Sequence, residues 1–156
     1  MLDKVDFPLT TSQISEFILD KGYTTYFKLQ EALSDMVNSG LLKVETTHNR
    51  TLYHVTENGV ETIHFFTNKI SPDIQQDINE FLREKQYDLK EESAVKSDYY
   101  LNTNHEYEVN CRIVENGFSL IDLKLTVPTK AEAETIANHW AGKSQDIYAL
   151  LLTKLL

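Results

Sequence analysis

The histidines, acidic residues and single cysteine are the side chains that could bind a metal ion. The five histidines show neither a His-x-x-x-His nor a His-Glu-x-x-His spacing, the patterns that place two imidazoles on one helix face. The densest group of ligand types runs from His105 through Glu106 and Glu108 to Cys111. In a strand, the two glutamates would point to one face and the cysteine to the other, which splits the set. We therefore expect no metal site.

An enzyme would need a nucleophile or a phosphate-binding loop. Cys111 falls on the apolar side of a predicted strand, where a thiol behaves as a small apolar group rather than as a reactive thiolate. The Gly142-Lys143-Ser144 sequence lacks the upstream glycine and strand of a phosphate-binding loop, and we interpret it as a helix end followed by a helix start. We expect no catalytic site and no cofactor, so the protein is predicted not to be an enzyme.

Aromatic side chains gather in the second half of the chain and allow two interpretations. They could line an apolar small-molecule pocket, or they could form the core of a folded unit. Of the two, the core is the simpler interpretation. The residues concerned are Tyr99, Tyr100, Tyr107, Phe118 and Trp140.

Length and charge limit the classes of function. A chain of 156 residues suffices for one domain or two small ones. Its 24 Asp and Glu outnumber 15 Lys and Arg, and the net charge of −9 means that nucleic acid would have to bind a local basic patch. The first residues, MLDKVDFP, lack the apolar run that a secretory signal requires. The longest apolar stretch, around residues 147–152, is much shorter than the roughly 20 residues needed to span a membrane. We expect a soluble cytoplasmic protein.

The first 69 residues predict two helices, a hairpin and a third helix. The first helix covers residues 10–19 and the second runs from residue 24 or 25 to 38; each has one apolar stripe and is followed by a glycine. Two short strands, residues 41–46 and 51–56, flank a polar turn, which predicts a hairpin. A further helix opens at Thr56. Any functional site in the first half of the chain must be formed by side chains of these helices and strands.

The run from Pro8 to Phe66 resembles the winged helix-turn-helix domains of bacterial transcription regulators. The resemblance rests on LTTSQISEFI, YFKLQEALSDMVNSGLL and YHVTENGVETI. The whole chain also resembles an uncharacterised bacterial winged-helix family known only as a domain of unknown function, which implies no activity. One departure is the opening helix of such domains, of which only about one turn, residues 2–6, is expected here.

The resemblance implies that the second helix lies in the major groove of DNA and that the hairpin forms a wing along the backbone. Lys and Arg supply most of the affinity by releasing counterions, yet residues 1–69 contain six Lys and Arg against nine Asp and Glu. Two functions stay open: a DNA-binding transcription regulator, and a protein-interaction adaptor that keeps the fold without binding DNA. The DNA-contacting residues so implied are Thr24, Thr25, Lys28, Gln30, Lys43, His48, Asn49 and Arg50, with Glu31 and Ser34 as further candidates.

The second half predicts a helix, three alternating strands and two more helices. A helix starts at Ser71-Pro72, residues 85–96 are interpreted as a polar linker, and Asn116-Gly117 is predicted to join the last two strands in a hairpin. A capping box then opens a helix that covers the apolar face of the sheet and is predicted to end before the last helix begins.

The predicted fold class is α+β. A winged helix-turn-helix domain is expected over residues 1–69, and a small antiparallel sheet packed by helices over residues 70–156. The final helix is apolar on nearly every side, which predicts a homodimer formed through the second domain. The alternative is that this helix is wedged between the sheet and the winged helix of one chain. The expected partners are double-stranded DNA and a second copy of the chain, with no membrane.

Overall fold

The computed structural model describes residues 1–48 and 50–156. Its fold is α+β, and the described residues form five α-helices and two antiparallel three-stranded sheets. Short 3-10 turns occupy Leu2–Lys4 and Thr67–Lys69. The strands are β1 (Leu9–Thr10), β2 (Leu42–Thr46), β3 (Thr51–Val55), β4 (Val95–Leu101), β5 (Tyr107–Glu115) and β6 (Phe118–Val127). The helices are α1 (Thr11–Asp20), α2 (Tyr26–Asn38), α3 (Glu57–Phe66), α4 (Pro72–Ala94) and α5 (Lys130–Leu155).

The chain divides into two compact units. The first comprises Met1–Thr46 and Arg50–Ser93, and the second contains Thr47 and His48 together with Ala94–Leu156. The division therefore falls at the end of α4, after Ser93, whereas we expected a boundary at residue 70. The reason is that α4 packs into the first core. Its side chains there are Ile78, Leu82 and Leu89.

In the first unit, a capping box starts α1. The Thr10 hydroxyl oxygen accepts a hydrogen bond from the Gln13 backbone N–H at 3.1 Å, and Gln13 Oε1 accepts one from the Thr10 N–H at 2.9 Å. The two bonds together satisfy two backbone N–H groups at the start of the helix. Strand β3 lies at the centre of the sheet between β1 and β2. Phe17 and Leu33, each 2% exposed, hold α1 and α2 in the core below.

In the second unit, the hairpin predicted at Asn116-Gly117 is confirmed. Glu115 pairs with Phe118, and the two turn residues have φ values of 51° and 80°, as a two-residue turn between antiparallel strands requires. Strand β5 is central between β4 and β6. Its inner face is covered by α5, whose buried Trp140 donates a hydrogen bond from Nε1 to the Arg112 carbonyl oxygen at 3.0 Å.

Two segments that we predicted to interrupt the secondary structure lie inside helices or strands. The expected linker, residues 85–96, is the end of α4 and the start of β4, because Leu89 and Ser93 continue the buried stripe of that helix. The expected helix end at Gly142 is wrong as well, since α5 runs through it. A glycine costs a helix only about 1 kcal/mol, and α5 goes on to bury Ser144 and to pack Ile147 against the second core.

The aromatic residues of the second unit have two different environments. Trp140 is buried, and Tyr99 and Tyr107 pack against the core as expected. Tyr100 and Phe118 do not, because they are 50% and 76% exposed. Over residues 1–48 and 50–156, no helix has the combination of length and apolar character needed to cross a membrane.

Candidate nucleic-acid interface

Helix α2 buries one side and leaves the other open. Thr25 is its N-cap residue, and Leu29 and Leu33 are its buried side chains. Thr25 and Lys28 are exposed and lie three residues apart at the N-terminal end of the helix. The Thr25 side chain makes no capping hydrogen bond, and the N–H groups of a first helical turn favour a negative charge.

The turn between α1 and α2 is fixed to α4. Lys21 Nζ lies 2.8 Å from Asp77 Oδ1, and the Tyr23 hydroxyl donates a second hydrogen bond to the same carboxylate. The bond from Lys21, and to a lesser extent the bond from Tyr23, holds the pKa of Asp77 below its usual value. In return, the bond to Asp77 raises the pKa of Tyr23 to about 12. The carboxylate therefore sets the direction in which α2 starts.

The residues implied on α2 and its preceding turn differ in accessibility. Thr25 and Lys28 are exposed, as the resemblance requires. Thr24 is half-buried in the turn. The Gln30 side-chain nitrogen is buried, and among the described residues it has no hydrogen-bond partner. Of these four residues, Thr25 and Lys28 are therefore the two that are exposed.

Strand β2 contributes Lys43 in a mixed-charge setting. Lys43 is exposed and pairs across the hairpin with His54, whose Nε2 lies 3.4 Å from Glu45 Oε2. Lys43 and Glu45 alternate with Val44 along the strand and so share one face. The positive charge of Lys43 is accordingly next to a negative one.

The turn between β2 and β3 holds the remaining implied residues. Arg50 donates a hydrogen bond from Nη1 to the Glu92 carbonyl oxygen at 2.7 Å within the first unit. In the second unit, the His48 ring centre lies 4.2 Å from that of Tyr99, whose hydroxyl donates to Glu134 at 2.8 Å. Asn49 lies outside the described residues. His48 and Arg50 thus have partners within the chain that a DNA backbone would have to replace or accommodate.

The outward side of α2 carries more negative than positive charge. Lys28, Glu31 and Asp35 follow at three- and four-residue spacings and are all exposed. Their net charge is negative, so this helix has no basic stripe. Any DNA bound here would be held by few phosphate contacts, and its affinity would depend only weakly on salt.

The sequence interpretation missed an aromatic pair beside this surface. Tyr26 and Phe27 begin α2, are 51% and 83% exposed, and have ring centres 6.0 Å apart in an edge-on arrangement. A signal for Phe27 was present in the sequence. It lies two residues before Leu29, about 200° around the helix, so the apolar stripe could not include it.

Nearly the whole chain matches a family model. The model of the family described as a domain of unknown function (DUF4364) matches residues 1–155. The chain belongs to this family. A search of curated proteins and a search of solved structures found no match. Across the described residues, no group of three or more His, Cys, Asp and Glu is arranged to hold a metal ion.

Proposed function

We propose that residues 1–69 form a winged helix-turn-helix and that this member of the DUF4364 family is a DNA-binding transcription regulator. The observation that carries the proposal is the placement of α2. It follows α1 after a short turn containing Gly22, precedes the β2–β3 hairpin, and presents Thr25 and Lys28 outward. In this arrangement the N-terminal part of α2 enters the major groove.

The contacts available predict a weak electrostatic contribution. Lys28 and Lys43 are the two exposed lysines among the implied residues, and each can neutralise one phosphate. Two such contacts give a slope of about −2 for log K against log salt, and two copies bound together give about −4. Specificity would then depend on base contacts from Thr25 and its neighbours rather than on charge.

A salt titration tests this proposal. Fluorescence anisotropy would follow the binding of a pool of random-sequence duplexes between 50 and 200 mM salt. Lys28→Ala should weaken binding and reduce the slope by about one unit for each copy bound, because one phosphate contact is lost. Lys154→Ala is the matched control, since it removes one exposed lysine from the far end of α5. Equal effects of the two variants, or no binding at 50 mM salt, would contradict the proposal.

A protein-interaction adaptor is the second candidate, and the aromatic pair favours it. An exposed Phe27 next to Tyr26, on a helix with net negative charge, has the composition of a protein-binding surface rather than of a phosphate-binding one. For this function, Phe27→Ala should abolish capture of a partner while Lys28→Ala has little effect. The opposite ranking of the two variants, measured on DNA, supports the regulator.

A further inference from the structure

Strand β6 is an edge strand of the second sheet with an incompletely covered apolar row. The sheet order is β4-β5-β6, so one edge of β6 has no neighbouring strand among the described residues. Helix α5 packs chiefly on β4 and β5 and less on β6. As a result Leu125, which shares a face with the buried Val109, is still 38% exposed. An exposed edge with apolar side chains is a template for pairing with another strand.

The sequence of β6 is self-complementary about Leu123. Asp122 and Lys124 flank this residue on the solvent side, and Ile121 and Leu125 flank it on the α5 side. In an antiparallel pair with its own copy centred on Leu123, each aspartate lies opposite a lysine and each isoleucine opposite a leucine. The regular part of the strand begins at Ile121, after a bulge in its pairing with β5.

Charge selects this register over its neighbours. A two-fold axis moved by one residue, to Asp122 or to Lys124, puts like charges directly opposite each other, which destabilises a strand pair. The axis at Leu123 gives two attractive pairs instead. Within one copy, Lys124 Nζ lies 3.5 Å from Glu108 Oε1. An ammonium group has three N–H bonds, so Lys124 can also donate to the Asp122 carboxylate of a second copy.

We propose that a second copy of this chain pairs along β6, with the two-fold axis at Leu123, and that the two sheets join into one of six strands. Asp122 then lies opposite the partner's Lys124, and the half-exposed Ile121 and Leu125 of each copy cover one another. The partner is a second copy of the chain because the charge and apolar pattern of β6 is complementary to itself. A two-fold interface uses the same surface of both copies and so requires such self-complementarity. The proposal concerns the second unit and does not rest on DNA binding.

Charge reversal tests the pairing. Sedimentation velocity on the full chain should give about 36 kDa, twice the 18.0 kDa of one copy, at tens of micromolar. Asp122→Lys and Lys124→Asp should each weaken dimerisation by roughly tenfold or more, because two attractive pairs become repulsive. Mixing the two variants should restore a dimer, since every lysine then meets an aspartate. The double variant D122K/K124D should also dimerise.

The controls reverse charges on α5. Lys143→Asp and Asp146→Lys change exposed residues of the same unit away from β6 and should leave the dimer intact. Three results would overturn the proposal: a mass of 18 kDa for the wild-type chain, a dimer unaffected by either β6 reversal, or no recovery on mixing. Leu155→Asp probes the rival surface, the exposed leucines at the end of α5. Loss of the dimer in that variant alone would place the interface there.

Discussion

Two glycine-to-alanine substitutions should change stability in opposite directions. Gly59 lies in the first turns of α3, where an added Cβ would sit 2.9 Å from Val55 Cγ2 and closer still to the Leu41 carbonyl oxygen. That oxygen accepts hydrogen bonds from the Thr56 N–H and hydroxyl, both at 3.1 Å, so α3 cannot move away without losing them. We expect Gly59→Ala to lower the free energy of unfolding by about 1–3 kcal/mol, the usual cost of overpacking.

Gly142 is the matched control within the same chain. It lies inside α5, and a Cβ there would meet no atom within 4 Å. Alanine is the better helix former, so Gly142→Ala should raise the free energy of unfolding by about 0.5–1 kcal/mol. Urea denaturation followed by circular dichroism measures both changes. A Gly59→Ala protein as stable as wild type would refute the close approach of α3 to Leu41, and a destabilised Gly142→Ala protein would refute the continuous α5.

Three further predictions concern buried and titrating groups. Burial first, and then the bond to Glu134, raises the pKa of Tyr99 to about 12, above its ordinary value of 10.0. The folded state therefore favours the neutral form of Tyr99. Its contribution to the free energy of unfolding is complete below pH 10 and is lost as the pH rises toward 12. In alkaline unfolding curves, the free energy of unfolding of Tyr99→Phe should fall less steeply with pH than that of the wild type. Burial raises the pKa of the Cys111 thiol to about 11, so a thiol reagent at pH 8 should react with it only after unfolding; rapid reaction of the native protein would show an accessible thiol. Gln13→Ala should lower the free energy of unfolding in urea by about 1–3 kcal/mol, because the buried Thr10 N–H loses its acceptor. An unchanged urea midpoint would show that this hydrogen bond does not stabilise the fold.

Local signals in the sequence predicted most element boundaries. Thr129 with Glu132, and Asn116 with Gly117, are short-range patterns whose hydrogen bonds or φ values depend on neighbouring residues alone. For that reason they were confirmed without knowledge of the tertiary fold.

Signals that depend on tertiary packing were harder to interpret. The polar composition of residues 85–96 suggested a linker, but two buried positions, Leu89 and Ser93, are enough to keep α4 helical against the first core. Gly142 was interpreted as a helix end because glycine is common just after the last helical residue, but the packing of the following turns keeps α5 continuous. The unit boundary after Ser93 follows from the same packing of α4.

The candidate interface was predictable in position and less so in detail. The stripe of α2 indicated that Lys28 is exposed, and Thr25 is exposed as well because it is the N-cap residue of the helix. The hydrogen bond from Arg50 to the Glu92 carbonyl oxygen joins residues 42 positions apart, a contact that no local pattern encodes. The DNA contacts of these residues stay a prediction.

Selection of DNA sequences by the purified chain tests the central claim most directly. The immobilised chain would be offered a library of duplexes with a random central region at 50 mM salt, and the bound fraction would be sequenced after successive rounds. A regulator that reads bases through α2 should enrich one motif, repeated at about 10 base pairs or a multiple if two copies bind, and Lys28→Ala should lower that enrichment. A bound fraction with the same sequence composition as the starting library would contradict the account.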